Sequence, residues 1–222
     1  MDILYQDDAI LLIDKPAGLP VLPDGWDADA PYLLKLLEEP YGKLWVVHRL
    51  DKITSGVMVF ARTADAHRAL NLQFERHEAQ KVYHAICVGA PAWDEHTARH
   101  KLRVNVGHSH RTVVDHSRGV PAETHFKLLK RYEGHGLLES RPATGRTHQI
   151  RVHAYALGHP LVGDILYGAP PTDLIARPAL HAFSLTITHP VSGERLTFAA
   201  PYPPDFAQAL ARLTAQPAAD GA

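Results

Sequence analysis

The sequence predicts an α+β fold, and three observations carry that expectation. Apolar runs of strand length, residues 9–13 (AILLI), 57–61 (VMVFA) and 82–88, are bounded by charged or turn-forming residues. Helical segments stand between some of these runs, without the strict alternation of a parallel α/β sheet. Residues 184–188 and 195–199 flank His189-Pro190-Val191-Ser192-Gly193 as the arms of a hairpin. A chain of 222 residues fills one domain, or two small ones, with a proper core.

In chain order, Ile3-Leu4-Tyr5 opens a first strand and 9–13 a second, broken by Lys15-Pro16-Ala17-Gly18. Residues 32–38 have helical spacing and stop before Pro40. Residues 57–61 leave the turn Thr54-Ser55-Gly56 as a strand. Thr63 caps a helix over 64–77 with Ala66, Leu70 and Phe74 on one face. In 82–88, Val82, His84, Ile86 and Val88 share one side; Tyr83, Ala85 and Cys87 share the other. The stretch 93–120 is polar and histidine-rich and reads as an irregular or hairpin insertion at the surface. Strands near 123–131 and 137–141 follow. Thr147 caps a helix to about Leu157, with Gly158 beyond its end. Asp205 caps a last helix to Leu213. With no evident linker, 1–213 reads as a single domain and 214–222 as a disordered tail.

Composition excludes several classes. Hydrophobic residues make up 45% and charged residues 21%, as in an ordinary globular protein. No apolar run approaches the roughly 18 to 20 residues of a membrane helix. The acidic N-terminus lacks the basic start of a secretory signal. The single cysteine, Cys87, excludes an intramolecular disulfide and suits a reducing cytoplasm. The net charge of −1 conceals a segregation. Residues 1–42 hold 2 basic and 9 acidic side chains, whereas 43–155 hold 18 basic, 10 acidic and 13 of the 16 histidines. That asymmetry points toward a polyanionic partner whose affinity falls with salt, and with rising pH between 6 and 8.

Two clusters carry candidate chemistry. In His48-Arg49-Leu50-Asp51-Lys52-Ile53-Thr54-Ser55-Gly56, Asp51 is a lone carboxylate among cations. It suits a nucleophile or base held ionised, or a turn residue accepting N–H groups from Thr54 or Ser55. In Arg141 to His153, Gly145 and Arg146 precede the expected helix start, an arrangement suited to an anion, or to a solvated amphipathic helix. Arg146 and Arg151 do not share a helix face.

Together these clusters resemble the RluA-type RNA pseudouridine synthases. The likeness extends through Lys15-Pro16-Ala17-Gly18, Lys81-Val82-Tyr83, Gly158 to Asp164 and Leu180-His181-Ala182, so it covers about residues 3 to 206. It implies the catalytic fold of that family, a mixed, largely antiparallel sheet flanked by helices and loops, here without an S4-type domain. It implies Asp51 as the catalytic carboxylate, Tyr83 as the residue stacking on the target base, and Arg146 as the partner of Asp51. Arg49 enters the duplex where the base has left, and His48, Thr54, Ile150 and Arg151 join the substrate-binding set. It implies uridine isomerisation without a cofactor or metal, on structured RNA (a 23S rRNA or tRNA stem-loop), by a cytoplasmic, monomeric enzyme with no membrane association.

Two rivals belong to other classes. One is a catalytically idle RNA-binding module, which the intact Asp51, Tyr83 and Arg146 disfavour. The other is a metal-dependent hydrolase using His96, His100, His108, His110 and His116, whose spacing matches no standard zinc arrangement.

Overall fold

A computed structural model of the chain describes residues 1–23, 30–107 and 111–215. The expected tail therefore lies outside the described residues from 216 onward, as do His108 and His110. The chain divides into two compact units, Met1–Lys81 with Ala182–Tyr202, and Val82–His181 with Pro203–Ala222. The first of these units is discontinuous in sequence. Among the described residues no helix is long and apolar enough to cross a membrane.

In the first unit, β1 (Ile3–Gln6) pairs antiparallel with β2 (Ile10–Lys15), and β2 with β4 (Ser55–Ala61). The two-residue β3 (Trp45–Val46) also pairs with β4. β10 (Leu180–Thr188), most of which belongs here, follows β4 in the strand order and forms a hairpin with β11 (Arg195–Ala199). The apolar runs of β2 and β4 have both faces covered: Ile10 to Ile13 and Met58 to Ala61 are fully buried. α1 (Leu33–Tyr41) has no side-chain cap; the carbonyls of Pro20 and Val21 receive the amides of Leu33 and Leu34. Its expected stop before Pro40 is corrected. Pro40 lies within the last turn, and the amide of Gly42 closes the helix on Glu38. α2 (Ala64–Glu75) starts as expected, with Thr63 Oγ1 accepting from the Ala66 amide at 3.1 Å.

In the second unit the strand order is β5 (Gln80–Val88, nearly all here), β9 (His135–Pro142), β8 (Val120–Tyr132), β6 (Glu95–Val106) and β7 (Arg111–Val114). Every pairing in that series is antiparallel. Of the two forms expected for 93–120, irregular or hairpin, the structure shows the hairpin, with β6 and β7 paired antiparallel. It supplies two strands of the sheet, with Ala98 and Leu102 buried between outward Arg99, Lys101 and Arg103. α3 (Gln149–Ala156) packs its Ile150 and Ala154 with Ala85, Cys87, Phe126 and Leu138. It ends as expected: the amide of His159 returns to Ala154 and that of Gly158, at φ +82°, to Tyr155. Its start is corrected. The capping position is His148, in the left-handed region at φ 56°, so Thr147 does not cap the helix. α4 (Pro204–Ala215) begins one residue before Asp205 and runs two beyond Leu213.

Candidate functional site

The loop between β3 and β4 carries His48, Arg49, Asp51 and Thr54, all in the first unit. A tight turn closes it, with the Thr54 amide donating to the Asp51 carbonyl at 3.0 Å. Lys15, at the end of β2 and fully buried, donates from Nζ to the carbonyls of Pro16 (2.8 Å), Lys52 (3.2 Å) and Thr54 (2.8 Å). The Gly18 amide adds a bond to the same Lys52 carbonyl at 2.8 Å. Two segments forty residues apart are thereby locked together beneath the half-buried Asp51. The roles of Lys15 and Gly18 were hidden in a four-residue motif; a lysine ending an apolar strand was the available signal.

Gly56 joins this loop to β4 at φ +118°, where a Cβ would lie 2.2 Å from the Ala182 carbonyl oxygen. Only glycine allows that backbone approach. Arg49 is exposed. His48 and Thr54, expected in the substrate-binding set, are both engaged within the fold. The His48 ring stacks on Phe74 at 4.6 Å, and its Nε2 accepts the Val59 amide at 3.2 Å, extending the edge of β4 where β3 has ended. Burial, then the positive charge of Lys81, lowers the His48 pKa to about 3. Thr54 is buried under the Lys15 contact.

The second unit carries Tyr83, Arg146, Ile150 and Arg151. Tyr83 is half-buried near the start of β5, opposite Ser140, and packs against the core cluster. Both faces of this strand are covered: Ala85 and Cys87, on the Tyr83 side, have no exposure, and Ile86 on the other side has none either. Burial pushes the Cys87 thiol up to about 12, an inert sulfur.

Arg146 is exposed on a turn organised by a residue the sequence did not single out. Buried Gln149 accepts at Oε1 from Thr144 Oγ1 (2.6 Å) and from the Arg146 amide (3.1 Å). Its Nε2 donates to the Glu123 carbonyl and to Thr124 Oγ1, both at 2.9 Å. One amide side chain thus ties the Arg146 turn to β8. Ile150 and Arg151, expected in the substrate-binding set, are also engaged within the fold. Ile150 is in the core. Arg151, 3% exposed, makes a bidentate pair with buried Asp164 (Nε 2.6 Å, Nη2 2.8 Å) and lies over the Tyr167 ring. The side-on edge of its guanidinium is committed to that carboxylate.

Among the described residues no group of three or more His, Cys, Asp or Glu side chains is placed to hold a metal ion. His100 and His153 meet edge-on at 5.5 Å instead, and burial keeps the pKa of both below the usual imidazole range, that of His153 at about 4.

Residues 9–156 match the family model described as RNA pseudouridylate synthase. The chain is 38% identical to the ribosomal large subunit pseudouridine synthase D of Neisseria meningitidis, over 96% of this chain and 61% of that protein. It thus spans about three-fifths of that relative's length. It is also 38% identical to the dual-specificity RNA pseudouridine synthase RluA of Escherichia coli, over 90% of this chain and 92% of that one. Among solved structures it is similar to Human RNA Pseudouridylate Synthase Domain Containing 4, with a TM-score of 0.79, 27% identity, and coverage of 96% and 92%.

Proposed function

Because the chain belongs to the RNA pseudouridylate synthase family and has its α+β fold, we propose that it isomerises uridine in structured RNA to pseudouridine. The substrate in this reading is a stem-loop of 23S rRNA or tRNA, and the enzyme acts in the cytoplasm as a monomer. The observation that carries the proposal is the Asp51 turn, held from beneath by Lys15 and Gly18 within the matched segment. A carboxylate on a fixed loop is what covalent or base catalysis requires, since misplacing a reacting group by an ångström is costly.

The reaction is redox-neutral. The N1–C1′ bond of the uridine breaks, the freed base turns, and a C5–C1′ bond forms; C5 gives up a proton and N1 takes one. Asp51 acts at the ribose or the base as nucleophile or general base. Arg146 keeps it charged and oriented through a charge-assisted contact. The target base must leave the stack, at a cost of a few kcal/mol. Tyr83 stacks on the extracted base and Arg49 fills the gap, offsetting part of that cost.

The test is tritium release from RNA labelled at uridine C5. Wild type should release label, and Asp51→Ala should slow release by about a thousandfold or more. Release at the wild-type rate from the variant removes Asp51 from the mechanism. Absence of release from the wild type on any structured RNA removes the proposal.

A further inference from the structure

The second unit contains a pocket that no catalytic role accounts for. It is open, has a volume of about 320 Å³, and is lined by Leu102, Arg103, Val104, Arg118, Val120 and the Gly145–Thr147 backbone turn. Its charge is unusual for this unit. Most guanidinium groups here are answered by a carboxylate: Arg99 by Glu123, Arg131 by Asp94, Arg141 by Glu139, Arg177 by Asp205. Among the described residues, Arg118 has no carboxylate of its unit within ion-pairing distance, and neither has Arg146. Arg103 is paired with Asp115 at 3.1 Å.

The walls are preorganised. Asp115 Oδ1 accepts from the amides of Ser117 (3.0 Å) and Arg118 (2.9 Å) and from Ser117 Oγ (2.7 Å), fixing the turn that bears Arg118. On the other side, Thr112 Oγ1 donates to the Thr147 carbonyl at 2.8 Å, and Gln149 holds the Arg146 amide. The remaining lining is apolar, with Val104 39% and Val120 47% exposed at the rim. A cation between exposed valines on rigid backbone suits a ribose-phosphate, whose sugar presents carbon and whose phosphodiester presents charge. A bare inorganic anion would leave the valines without a purpose.

We propose that this pocket seats a backbone phosphodiester of the RNA, gripped by Arg118 with support from Arg103. This rests on the reading of the chain as an RNA uridine isomerase, because the pocket is lined by Arg146, to which that reading gives a part in the reaction. Such a contact positions RNA without reading its sequence.

The experiment measures binding of the intact protein to a uridine-containing stem-loop RNA across a salt series. Arg118→Ala should weaken binding about two- to fivefold, the range of an exposed ionic contact. It should also flatten the slope of log K against log[salt] by about 0.7 to 0.9, one phosphate's worth of released counterion. Arg118→Lys should restore most of the slope. Arg68→Ala, on α2 in the first unit, serves as the control for charge alone and should leave the slope unchanged. An unchanged slope in Arg118→Ala, or an equal loss in Arg68→Ala, overturns the pocket. Millimolar inorganic phosphate that binds wild type but not Arg118→Ala, with RNA binding unaffected by the substitution, overturns it in favour of a free-anion site. The readout does not depend on turnover. Wild type that releases tritium while Arg118→Ala binds normally fails the pocket alone; a flattened slope without tritium release fails the isomerase reading alone.

Discussion

Lys15 shows what a buried charge does for a loop. An ammonium has three donors, and the three carbonyls around it belong to the two segments that shape the Asp51 turn. Lys15→Met keeps the volume of the stem and removes the donors. Buried carbonyls without partners make the expected loss about 3 kcal/mol in unfolding free energy. The folded fraction should also turn over more slowly, because the turn loses its underside. Urea unfolding and single-turnover rates at 15 °C measure the two effects; an unchanged unfolding midpoint would show that the carbonyls are satisfied without the lysine. The residue scale is also where sequence reading was least able to sort roles. Asp51, His48, Thr54, Ile150 and Arg151 all belong to the same recognisable strings. A string does not say which of its members face solvent, and Arg151 is spent on Asp164, thirteen residues downstream.

At the scale of elements, legibility followed whether a boundary was set locally. The α2 start was readable because Thr63 makes its own bond to Ala66. The α3 start was not, because it depends on a left-handed His148 and on Gln149 reaching back to Thr144 and across to β8. The sequence left 93–120 open between an irregular stretch and a hairpin because a sheet edge with one solvated face needs few apolar residues; Ala98 and Leu102 suffice on β6. The junction of the Asp51 loop with β4 yields a prediction. Gly56→Ala sets a Cβ against the Ala182 carbonyl, backbone against backbone, at a positive φ. With no side chain available to move aside, the expected cost is about 3 kcal/mol or more. Thermal unfolding reads it, and a shift within a degree of wild type would mean that β4 and β10 part easily.

For the molecule as a whole, the charge segregation in sequence is diluted in space. The acidic residues 1–42 fold in the same unit as the cationic Asp51 loop. The histidine surplus is also smaller than its count suggests, since burial lowers the pKa of His48, His84, His100 and His153. His48, at about 3, and His153, at about 4, stay neutral between pH 6 and 8, and burial makes His84 and His100 harder to protonate than free imidazoles, so the expected weakening of RNA binding over that range falls mainly to the remaining histidines. They act on stability instead. A folded-state pKa of about 4 for His153, against about 6.5 in the unfolded chain, means that the unfolded state takes up more protons between those values. Stability is therefore full above about pH 6.5 and is lost as pH falls toward 4, by on the order of 2 to 3 kcal/mol from this residue. His153→Gln should flatten that part of a pH series of urea unfolding curves; an unaltered slope would assign the acid sensitivity elsewhere.

The discontinuity of the first unit has a consequence for how the protein is made. β4, buried along its whole length, has β10 as its neighbour, and β10 arrives about 120 residues later. At ribosomal speeds of about 5 to 20 residues per second, the nascent chain waits roughly 6 to 24 s with that apolar edge open. During that interval the Asp51 unit cannot be completed, and the growing chain depends on whatever shields an unpaired strand at the exit tunnel.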